Sequence, residues 1–144
     1  MLIDYYQSST DGNTLRFDCE SIDELQSLKS VFQSLDSGHL DRVDLAHEFN
    51  AVTAEVSCIY VTRVARRDFR ECEVTMSGLR KFVWRPDALD LARYVGLIDA
   101  LLCSDIGADA YQILTSDTAE CIAVEIPKPK QGGRSRHDRL YFPV

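Results

Sequence analysis

The chain has 144 residues, 45% hydrophobic and 27% charged, with 16 Lys/Arg against 23 Asp/Glu for a net charge of -7. That length and apolar content suit one folded domain with its own core, and no apolar run approaches the ~20 residues of a membrane span. The charge is split: residues 1–126 carry 11 basic and 22 acidic residues and residues 127–144 five basic and one acidic, so phosphates are repelled over most of the surface and nucleic acid is excluded as the main ligand.

Residues 1–6 and 14–18 read as short strands, joined by Asp11-Gly12-Asn13, where Gly and Asn tolerate positive φ. No basic start or small-residue cleavage site marks residues 1–6 as a secretion signal. Ser21 and Glu24 form a capping box, and Ile22, Leu25, Leu28, Phe32 and Leu35 recur at helical spacing until Ser37-Gly38. Val43, Leu45, His47 and Phe49 alternate with polar or small neighbours, which predicts a half-buried strand. Residues 52–64 are β-branched and predict a long strand. Residues 72–76 and 79–84 flank Ser77-Gly78 as a hairpin. Pro86 opens a second helix, with Asp87 and Asp90 at the positive end of its dipole. Its stripe is Leu91, Val95, Ile98 and Leu102, widened by Ala88, Tyr94 and Leu101, and Gly96 within it implies close packing against a neighbour. Residues 111–114 and 121–126 are two further strands, joined through Ser116-Asp117-Thr118.

The order ββαββββαββ predicts an α+β fold with a mainly antiparallel sheet and two helices packed on one face. Residues 1–126 form the expected domain. Residues 127–144 form a basic tail with Pro and Gly, whose apolar end at Leu140, Tyr141 and Phe142 is expected to dock on the domain or on another copy. The two halves are compatible with a loose repeat, although no residue identity supports one. Five widely spaced cysteines without a CxxC predict free thiols in a reducing cytoplasm.

Candidate chemistry is sparse. His39, His47 and His137 lack metal-site spacing, so neither a metal nor another cofactor is expected. No base or helix start beside a cysteine lowers a thiol pKa. Arg63, Arg66, Arg67 and Arg70 are the one basic group on the body. They offer either an anion site or a solvated turn paired with surplus acids.

Phe82-Val83-Trp84-Arg85-Pro86, then Gly96-Leu97-Ile98-Asp99-Ala100-Leu101-Leu102, then Tyr111-Gln112-Ile113-Leu114 and residues 121–126 are the most distinctive stretch. It resembles small bacterial immunity-type proteins of polymorphic toxin systems over about a third of the chain. In those, a strand ending in Trp precedes a helix with a GL-x-x-L segment and a Tyr-Gln-Leu-type strand. The resemblance implies a cytoplasmic, non-enzymatic protein that binds and neutralises a toxin. From charge, the expected partner is a basic protein, met by Asp105, Asp109, Asp117 and Glu120, with Trp84 and Tyr111 as aromatic anchors where exposed. The alternatives are a self-associating assembly module that docks its tail on another copy, and a small enzyme using the arginine group with loop acids on a phosphorylated substrate.

Overall fold

The computed structural model describes residues 1–8, 12–68, 70–103, 107, 109–115 and 121–129. In chain order they form β1 (Leu2–Ser8), β2 (Gly12–Asp18), α1 (Ile22–Ser37), β3 (Arg42–Asp44), α2 (Leu45–Glu48), β4 (Cys58–Thr62), β5 (Val74–Gly78), β6 (Lys81–Trp84), α3 (Ala88–Leu102), β7 (Tyr111–Ile113) and β8 (Ala123–Pro127). The chain is α+β.

The strands build two four-stranded sheets, in the orders β1-β2-β8-β7 and β3-β4-β6-β5. Each has a parallel pair at its centre, β2 with β8 and β4 with β6, flanked by antiparallel pairs. This corrects the expectation of one mainly antiparallel sheet with both helices on one face. The local hairpins β1–β2 and β5–β6 form as expected, although the second turns at Leu79-Arg80, with Arg80 at φ 61°, and Ser77-Gly78 lie inside β5. No short-range signal codes for strands that meet across a hundred residues.

The sheets and helices share one core. Phe32 of α1 lies 5.4 Å from Trp84 of β6 and 5.3 Å from Tyr94 of α3, ring centre to ring centre. Phe17 of β2 approaches Trp84 at 6.3 Å, and Tyr5 of β1 approaches Phe82 of β6 at 4.9 Å, so the sheets touch each other as well as the helices. Lys29 of α1 pairs with Asp99 of α3 at 2.6 Å.

The caps explain where the helices begin. Ser21 Oγ accepts from the Glu24 N–H, and the Glu24 carboxylate accepts from the Glu20 N–H. Asp87 and Asp90 complete a reciprocal box at the start of α3. Gly38 closes α1 at φ 84°, a conformation that costs glycine nothing.

Several local expectations are corrected. The strand predicted over 43–49 stops at Asp44, whose carboxylate accepts from the Ala46 N–H at 3.2 Å and the Ile59 N–H at 3.0 Å. That cap starts the one-turn α2 and leaves His47 exposed rather than on an apolar strand face. Of the strand predicted over 52–64, Cys58–Thr62 is extended in a sheet, and Val52 makes an isolated bridge to Leu2. A Cβ at Gly96 would meet nothing within 4 Å, so close packing does not account for that residue. Finally, Cys72 and Cys121 form a disulfide with Cα atoms 5.3 Å apart, while Cys19, Cys58 and Cys103 are free. The expectation of five free thiols therefore fails. Spacing along the chain does not reveal that the connections into β5 and β8 meet.

Candidate binding surface

The arginine group divides between different partners. Arg63 Nη1 donates to the Asp36 carbonyl at 2.7 Å, where the negative end of the α1 dipole lies. Arg67 turns inward, and its Nε and Nη2 form a fork onto the two Asp90 oxygens at 2.8 Å each. Its Nη1 donates to the Asp68 and Glu71 carbonyls. Arg66 and Arg70 are exposed. Arg63 and Arg67 are thus aimed at separate protein groups rather than at one shared anion.

Arg67 belongs to a larger ionic cluster. Arg93 Nη2 reaches both Glu73 oxygens at 3.1 and 3.2 Å and Asp90 at 3.5 Å. Glu73 and Asp90 are only 2% and 5% exposed. The Tyr94 hydroxyl donates to Glu73 and accepts from Trp84 Nε1, the latter at 3.0 Å. Burial, then the charge of Glu73 and the bond to it, push the Tyr94 phenol well up. Burial raises the Asp90 carboxyl, but the Arg67 bonds, the Asp87 N–H and the two arginine charges outweigh it and hold the group below its ordinary value. Among the described residues two cations face two anions here, and the cluster ties α3 to the connection before β5. In sequence Asp90 reads as a helix-start acid and Tyr94 as part of the apolar stripe of its helix, while Glu73 and Arg93 carry no expectation. An acid at residue 73 between Cys72 and Val74, in a segment predicted as strand, was the available signal.

The acids and aromatics expected to meet a partner are placed unevenly. Trp84 is fully buried against Phe17, Phe32 and Tyr94, so it is a core residue and not a surface anchor. Tyr111 is 57% exposed on β7, the edge strand of its sheet, and Asp109 is exposed two residues before it. These two share one edge. Asp105, Asp117, Glu120, Leu140, Tyr141 and Phe142 lie outside the described residues.

A groove that the sequence does not announce runs between α1 and the α2 turn. It is open to solvent, has a volume of about 460 Å³ and is lined by Ser27, Ser30, Val31, Ser34, Leu40, Glu48 and Phe49. The Ser27 and Ser30 hydroxyls donate to the Asp23 and Gln26 carbonyls, each at 3.0 Å. The serines read as the solvated side of α1, and the groove exists because residues 45–48 coil instead of extending.

Among the described residues, no group of three or more His, Cys, Asp or Glu side chains is placed to hold a metal ion. No helix among them is long and apolar enough to cross a membrane. No family model matches the chain, and neither does a curated protein or a solved structure.

Proposed function

We propose that this protein is a non-enzymatic acidic binding protein that engages a basic protein partner, in the manner of an immunity protein neutralising a basic toxin. The observation that carries this reading is the exposed β7 edge, where Tyr111 stands beside Asp109 on a strongly acidic body. An aromatic with a polar tip, placed beside a charge, supplies contact area and electrostatic steering together. The inward cluster supports the same reading, because Glu73 and Asp90 are occupied by Arg67, Arg93 and Tyr94. The Cys72–Cys121 bond favours an oxidising setting over the cytoplasm, since such bonds persist where thiols are not kept reduced.

The test is association with a basic toxin encoded beside this chain's gene. Charge reversal by Asp109→Lys should slow association about tenfold at low salt and flatten its salt dependence. Tyr111→Ala should speed dissociation. Rates and salt slopes that match the parent for both variants would remove this edge from the interface, and a salt-independent parent rate would remove the electrostatic reading.

A further inference from the structure

We propose that the groove between α1 and α2 receives one arginine side chain of the partner protein. The inference rests on the reading of a basic partner and says where one of its cations is held. The lining supplies acceptors. The Ser27 and Ser30 hydroxyl hydrogens are committed to the Asp23 and Gln26 carbonyls, which turns the remaining oxygen lone pairs outward. Glu48 adds an exposed carboxylate, and among the described residues no Lys, Arg or His lines the space. Lys29, the one lysine of α1, is held on the other side of the helix by Asp99. An anionic group would find no side-chain cation among the described residues of this lining, whereas a group made only of donors finds a complementary set.

The walls select among cations. Val31, Leu40 and Phe49 are apolar and at least half-buried, a surface on which a methylene stem packs. A guanidinium also offers a flat fork for the Glu48 carboxylate and a face for the Phe49 ring, neither of which a lysine ammonium matches. The volume lies within the roughly 300–1,000 Å³ of clefts that take small ligands, so one side chain fits with room for water.

The probe is the peptide acetyl-Gly-Arg-Gly-amide, titrated into isotope-labelled full-length protein and followed by amide chemical shifts. Saturable shifts at Ser27, Ser30, Glu48 and Phe49 are expected, with the lysine peptide weaker and the glutamate peptide silent. Glu48→Gln should weaken the arginine peptide about tenfold through loss of a charge-assisted bond. Ser30→Lys, also at an exposed position, should abolish the shifts by placing a cation in the groove. Unsaturable shifts, an equal response to the glutamate peptide, or indifference to both variants would overturn the proposal. If Asp109→Lys impairs partner association while the peptide ignores Glu48→Gln, the groove is wrong and the basic-partner reading stands. If the peptide saturates the groove but no basic toxin binds the chain, the groove stands and that reading fails.

Discussion

Asp90 takes part in several interactions at once, besides its pairing with Arg93. Its carboxylate forks onto Arg67, its Oδ2 accepts from the Asp87 N–H at 3.1 Å, and its own N–H donates to Asp87 Oδ1 at 2.9 Å. Its folded carboxyl sits below the ordinary 3.8, so the group stabilises the fold above that pH and loses the contribution as pH falls through its folded value. Asp4 and Glu24 act with the opposite sign, because burial raises both and their protonation favours the fold. Replacing Asp90 by Asn removes the charge and leaves the half-buried Arg67 with Glu73 at 3.6 Å as its remaining anion within this cluster. The expected loss at neutral pH is about 3 kcal/mol, the scale for breaking one side of a buried ion pair. Denaturant unfolding at pH 7 and at pH 3 measures it. The gap between parent and Asp90→Asn should narrow at pH 3, and a constant gap would show that the carboxylate charge is not what Arg67 needs.

The strand and helix order was legible at the scale of elements, because the signals that set it are local. Ser21 with Glu24 and Asp87 with Asp90 announced both long helices, and turn residues announced two hairpins, the second turning at Leu79-Arg80 just past the expected Ser77-Gly78. What failed was long-range. The α2 turn depends on Asp44 capping Ala46 while also holding Ile59, fifteen residues on. Trp84 ends its strand as expected, yet whether it faces solvent is decided by Phe17, Phe32 and Tyr94. The sequence offered Asp109 as one of four loop acids and Tyr111 separately as an aromatic, and both are exposed, whereas the groove needed α2 to exist. The disulfide is equally non-local, closing a separation of 49 residues between the connections that enter β5 and β8. Cross-linking a loop of that length restricts the unfolded chain by up to about 4 kcal/mol, and measured effects are often smaller. Cys72→Ser with Cys121→Ser should therefore lower unfolding stability by about 2–4 kcal/mol. The parent under reductant should show the same loss, while the double variant should not respond to reductant. Equal stability of oxidised and reduced parent would show that the bond does not hold the native ensemble.

Across the whole molecule, the two sheets have one wiring diagram. Reading the first as β1-β2-β8-β7 and the second from its other end as β5-β6-β4-β3, each strand of one half of the chain stands where its counterpart stands in the other half. The long helices repeat the same core register. Leu25, Leu28, Phe32 and Leu35 fall at the positions after cap Ser21 that Leu91, Tyr94, Ile98 and Leu101 occupy after cap Asp87. A doubled ββαββ unit, suspected from element order alone, is thus visible in topology and helix register although the side chains of the two halves differ. The halves interlock: each sheet joins one hairpin-like pair from either half through a parallel seam, β2 with β8 and β6 with β4. Cutting the chain between Ala65 and Arg66, both exposed, would leave each fragment with two-stranded pairs that lack their central neighbours, and such pairs are marginal in water. Expressed alone, fragments 1–65 and 66–144 should each give poorly dispersed amide spectra. Co-expressed, they should associate one to one and regain the parent's spectrum, because Arg67, Glu73, Asp90 and the disulfide all stay within the second fragment while both seams re-form between the two. A well-dispersed spectrum from fragment 1–65 by itself would mean that the first half folds without the seams, and the interlocked duplication would then describe the wiring without explaining the stability.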